Sequence, residues 1–221
     1  MSVPQRDDLS PTPIFNAMPA GVLILASAIL LVAGFDALFP EMGQWVVASC
    51  VLLTVPSGTA PPAQPLGPWA PILLHVFIHF GLLHIVMNLA VLIASGRAVG
   101  MALGTGLKGT AGFLVFFFVC SAAGAGLELV VPHSGVVQMG GASTGVSGLI
   151  AASGWVRGGY RGMLRMALPW IGINIAIALT GMALTIPISW AGHIGGTIAG
   201  AILFPVAMAL FSEGRTFDFR R

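Results

Sequence analysis

Six stretches between Ala17 and Phe211 are long and apolar enough to cross a lipid bilayer, and almost no charge lies inside them. A crossing takes about 20 apolar residues to bridge a hydrocarbon core of about 30 Å. The whole chain of 221 residues is 57% hydrophobic and 7% charged, whereas soluble domains carry about 25% charged residues. Too few charges are available to cover a water-facing surface, so lipid is the expected solvent and the expected fold class is all-α and polytopic. A net charge of +2 gives no basis for binding nucleic acid. Thirty glycines suit helices that pack closely in membranes.

The stretches run from about Ala17 to Phe39, from Ile72 or Gly81 to Ser95, from Thr110 to Val131, from Gly141 to Val156, from Leu164 to Met182 and from Ile188 to Phe211. This predicts a polar tail over 1–16, a six-span membrane domain over 17–211 and a second polar tail over 212–221. The first tail carries Asp7, Asp8 and three prolines, unlike the basic start of a signal peptide. A Pro-rich first loop, about 40–71, contains the apolar piece Trp45 to Val55, too short for a span and read as an interfacial segment. The cysteines, Cys50 and Cys120, fall in a loop and in mid-span, which disfavours a disulfide.

An even number of spans puts both termini on one side. With the N-terminus inside, all nine basic residues, from Arg6 to Arg221, fall on the inner side. The positive-inside rule then predicts cytoplasmic termini. The compact form fits a bacterial inner membrane.

Polar groups inside spans are costly and mark sites by default. His84 and Asn88 in span two, Ser143 in span four and His193 in span six are the four that matter. On a helix, His84 and Asn88 lie about 40° apart, on one face, while His75 and His79 share a face roughly opposite. Interhelical hydrogen bonding is the ordinary reading of such groups. A metal site at His75 and His79 lacks a third ligand, and no metal or other cofactor is expected. Ser143 lies 14 residues before Arg157, about 21 Å of helix rise, and His84 lies 13 before Arg97, about 20 Å. The two therefore reach one depth on different spans, roughly 9 Å below the outer boundary. Chain entering the fourth span must dip into the membrane, which requires burial in protein or a water-filled hollow.

A serine hydroxyl becomes nucleophilic when a base takes its proton, and histidine is the usual base near neutral pH. Ser143 as nucleophile, His193 as base, and His84 with Asn88 as oxyanion donors supply the parts of an acyl-transfer site. No Asp or Glu is positioned to orient His193, so a dyad is expected.

Three ordered stretches resemble the rhomboid intramembrane proteases. These are His75 to Asn88, ending in H-x-x-x-N; Gly141-Ala142-Ser143 followed by Gly148-Leu149; and Ala191-Gly192-His193-Ile194-Gly195-Gly196 with Gly200. The resemblance implies a six-helix rhomboid-like bundle with a Ser143–His193 dyad and His84 and Asn88 at the oxyanion site. It also implies membrane-anchored single-span substrates, cut near the outer face and admitted beside span five. The chain departs from the family pattern in three ways. The usual G-x-S-G reads Gly141-Ala142-Ser143-Thr144, with Gly145-Val146-Ser147-Gly148 as a second candidate. Ser147 stands where an aromatic normally stacks on the base. The first loop has Trp69-Ala70-Pro71 in place of a Trp-Arg pair. Gly196 and Gly200 form a G-x-x-x-G that predicts close contact between spans six and four. Alternatives are an inactive relative that binds transmembrane helices and a transporter, although neither repeated halves nor a mid-span carboxylate is apparent.

Overall fold

The computed structural model describes residues 18–180 and 188–212; the first predicted tail with Ala17, the second from residue 213 onward, and the end of the predicted fifth span lie outside them. The elements are α1 (Ala20–Leu38), α2 (Pro40–Cys50), β1 (Leu52–Thr54), α3 (Pro71–Leu74), a 3-10 turn (His75–Phe77), α4 (Leu82–Leu103), α5 (Leu107–Val130), β2 (Val137–Met139), α6 (Ser143–Leu179) and α7 (Trp190–Phe211).

Five of these helices, α1, α4, α5, α6 and α7, are long and apolar enough to cross a membrane. A straight α6 of 37 residues would be about 55 Å long, nearly twice the hydrocarbon core. It is instead a hairpin. Gly158 and Gly159 leave helical geometry, and Gly159 takes φ 58°, ψ −146°, where a Cβ is disfavoured. The chain then folds back so closely that a Cβ on Gly154 would lie 2.5 Å from the Gly162 carbonyl oxygen. The two arms are the predicted fourth and fifth spans, making six crossings. The protein is thus an integral, multi-pass, all-α membrane bundle.

Each crossing turns one stripe inward and the rest to lipid. In α1, Val22, Leu25 and Ile29 are buried while Leu23, Ile24, Leu30 and Leu31 are exposed, the spacing of one helical face. The core gathers Leu92 and Leu103 of α4, Phe113, Phe116 and Phe117 of α5, Leu149 of α6 and Phe204 of α7. Phe116 meets Phe204 edge-on at 5.7 Å between ring centres.

In lipid, helices gain little from burying apolar surface against one another, so close backbone approach carries the packing. The predicted contact of α7 with the first arm of α6 is present. A Cβ at Gly196 would run into the Thr144 carbonyl, and one at Gly200 into the Gly148 carbonyl.

The Trp45–Val55 piece forms α2 and β1 rather than a crossing. β1 pairs antiparallel with β2, matching Leu52 with Met139 and Thr54 with Val137. This ribbon fastens the first loop to the chain that leads into Ser143.

Candidate active site

Ser143 is the first residue of α6. The chain turns sharply into the helix at Gly141, and two N–H groups there are bonded within the protein, as a low-dielectric setting favours. Gly141 N–H donates to the His75 carbonyl at 2.9 Å, and Ala142 N–H donates to His79 Nε2 at 3.4 Å. Gly141 has φ 116°. A Cβ there would lie 2.7 Å from His84 Nε2 and 3.7 Å from Ser143 Oγ. The His84 ring and the Ser143 hydroxyl therefore border the same point in space, as their matching depths predict.

His84 Nδ1 accepts a hydrogen bond from Phe80 N–H at 3.3 Å. A neutral imidazole in that arrangement carries its proton on Nε2, the nitrogen facing Gly141. His84 is thereby set as a donor toward the Ser143 side. Asn88 Nδ2 donates to the His84 carbonyl at 2.9 Å, while its Oδ1 is buried with no partner among the described residues.

The expectation that His75 and His79 share a face opposite His84 fails for His79. It assumed one helix from His75 onward, but α4 starts only at Leu82. The 3-10 turn and the non-helical residues after it swing His79 round until its ring centre lies 5.0 Å from that of His84. His75 is fully buried. Its Nδ1 lies 3.0 Å from the Pro71 carbonyl and its Nε2 lies 3.0 Å from Thr144 Oγ1. Since a carbonyl only accepts, Nδ1 carries the proton and the Thr144 hydroxyl donates to Nε2. Burial holds this imidazole neutral, with its pKa lowered to about 4. Thr144, the departure beside Ser143, thus anchors the loop, and its side chain fits because Gly124 of α5 and Gly192 of α7 leave room for it.

His193 lies one turn into α7 and is 8% exposed. Its Nδ1 is 2.8 Å from Asn174 Oδ1, on the second arm of α6. Asn174 Nδ2 donates to the Trp170 carbonyl at 2.8 Å, which fixes the amide with its oxygen toward the imidazole. Nδ1 is then the protonated nitrogen and Nε2 keeps its lone pair. The Trp170 ring lies against His193, 5.5 Å between centres and tilted 31°. Its Nε1–H donates to Ser147 Oγ at 3.0 Å, and Ser147 in turn donates to the Ser143 carbonyl at 2.7 Å.

Above His193, Glu128 Oε2 accepts from Ser189 Oγ at 2.6 Å and from Gly192 N–H at 3.0 Å. A carboxylate at a helix N-terminus also meets the positive end of its dipole. Glu128 is a buried residue of α5 that caps α7.

The structure brings Ser143, His84 and Asn88 to one end of the bundle, with His79 joining them. The Ser143 hydroxyl is half-buried and takes no hydrogen bond from any described residue, His193 included. Sequence reasoning missed Asn174 and Trp170. The signal was present, a polar residue inside the fifth span with an aromatic four positions earlier on the same face.

Comparison with known proteins adds one match. The model of the Rhomboid domain matches residues 67–209, and no curated protein matches the chain significantly. The match runs from the loop before α3 to the last turn of α7, over more than half of the chain and all the residues just described, so the chain belongs to the rhomboid family.

Proposed function

We propose that the chain is an intramembrane serine endopeptidase acting on single-span membrane proteins, with Ser143 as nucleophile and His193 as base. His84, Asn88 and the Ser143 N–H serve as oxyanion donors. The observation that carries this reading is the division of labour between the two serines. Ser147 is fully buried, with its oxygen bonded on both sides, whereas the Ser143 hydroxyl is accessible and uncommitted beside a histidine whose Nε2 bears a proton. The chemistry follows from these protonation states. Ser143 Oγ attacks the scissile carbonyl carbon as its proton passes to His193 Nε2. The developing oxyanion takes hydrogen bonds from His84 Nε2–H and the backbone. Nε2–H then protonates the leaving amine, and water repeats the sequence to release the acyl group from Ser143.

The bilayer orientation rests on charge. Arg97, Lys108, Arg157, Arg161 and Arg165 belong to the helix ends and hairpin opposite Ser143. The positive-inside rule puts that end in the cytoplasm and the site near the outer face. Both termini would then be cytoplasmic, in a bacterial inner membrane.

The open Ser143–His193 pair is what favours the rival reading, a rhomboid relative that binds transmembrane helices without cutting them. A fluorophosphonate probe separates the two. Labelling of the wild-type protein in detergent, lost in Ser143→Ala, supports the protease. Absence of labelling beside a labelled control protease favours the binder.

A further inference from the structure

Resting on the protease reading, we propose that Asn174 is a positioning residue for the base, completing a Ser143–His193–Asn174 arrangement with Trp170 as its aromatic support. A histidine that takes a proton from serine must present a bare Nε2, so its other nitrogen must hold the proton. An amide oxygen accepts and never donates, so the Asn174 Oδ1 contact at 2.8 Å imposes that tautomer. The Trp170 carbonyl bonded to Nδ2 prevents the amide from turning its nitrogen toward the ring. Being neutral, the amide does not take the Nδ1 proton. It orients the ring and favours the imidazolium through its dipole, while the serine proton resides on Nε2.

Trp170 supplies the second restraint. Ser147 is too small to stack on His193, and the indole from the facing arm takes that place at 5.5 Å. The same Ser147 hydroxyl receives the indole N–H, so the small residue makes room for the ring and holds it. The base is therefore fixed from the second arm of α6 and not from the helix that carries the nucleophile.

That arm is lightly attached. Between residues 171 and 180, Asn174 alone is buried, while Ile173, Ile175 and Leu179 are exposed. The bond that orients the base also ties this end of the arm to α7. Displacing the arm from α7 breaks the bond and frees the ring.

The test compares wild type, Asn174→Leu and Asn174→Asp as full-length protein in detergent and in liposomes. Asn174→Leu should slow fluorophosphonate labelling and reduce kcat on a single-span substrate about 100-fold, the scale of general-base assistance, with KM changed less than threefold. Asn174→Asp, which keeps an acceptor facing Nδ1, should recover to within tenfold of wild type. With 15N-labelled histidine, NMR should find His193 protonated at Nδ1 in wild type and shifted toward Nε2–H in Asn174→Leu. Equal labelling rates for wild type and Asn174→Leu, or an unchanged tautomer, overturn the proposal. A wild-type protein that neither labels nor cleaves removes the protease reading, and the NMR tautomer then decides alone whether Asn174 sets the ring.

Discussion

Thr144 Oγ1 donates to His75 Nε2 at 3.0 Å, across 69 residues of sequence. The residue after the candidate nucleophile is thereby tied to the turn that precedes α4. Thr144→Val keeps the shape and removes the donor, leaving a fully buried imidazole nitrogen unpaired. An unsatisfied buried group costs about 1–3 kcal/mol. A thermal midpoint in detergent several degrees below wild type is the expected result. Thr144→Ser keeps the hydroxyl and should lose less.

The same imidazole makes stability depend on pH. In an unfolded chain His75 binds a proton near its ordinary pKa of 6.5, and in the folded protein only near 4. Between those values the unfolded state holds more protons, so stability falls as pH drops through the window and is fully present above it. The loss attached to this one group is of order 3 kcal/mol. His79, lowered to about 4 by burial and by the neighbouring His84, acts in the same direction. Thermal midpoints measured from pH 7 to pH 4 should decline, and His75→Leu should flatten the decline without abolishing it.

Gly196 sets how near α7 comes to Ser143. A Cβ there meets backbone, the Thr144 carbonyl, not a movable side chain. Gly196→Ala must therefore push α7, and His193 with it, away from α6. Overpacking costs about 1–3 kcal/mol, and both thermal stability and cleavage should drop. Gly126→Ala on α5, with nothing within 4 Å of its Cβ, should change neither.

The spans were legible because lipid imposes length and apolarity at once, and the hairpin was legible from Arg157-Gly158-Gly159 between two apolar runs. The depth match of His84 with Ser143 followed from helix rise alone. Two things were not legible. A helical wheel run on from His75 misdirected His79, because the later of the two possible starts of the second span, at Gly81, is the one α4 takes. Only carboxylates are weighed as partners for the base, so Asn174, a neutral amide inside the fifth span, is not among the candidates. Which polar residue of one span meets which of another depends on helix rotation, and lipid-facing sequences carry little periodic signal to fix it.

Two serines four residues apart lie on one face of α6, and sequence pattern alone leaves both as candidate nucleophiles. Their surroundings separate them. Ser147 Oγ is fully buried, gives its proton to the Ser143 carbonyl and accepts from the Trp170 indole, so neither bond is to a base and no substrate can reach it. Ser143→Ala should abolish cleavage of a single-span substrate and all covalent labelling. Ser147→Ala removes one hydrogen bond from a ring that supports His193, worth about 1 kcal/mol and roughly fivefold in rate. Cleavage should persist at that reduced level in liposomes, with labelling intact. If Ser147→Ala were dead and Ser143→Ala active, the nucleophile would have to be moved one turn down the helix, and the bonds that hold Trp170 would have to be broken during turnover.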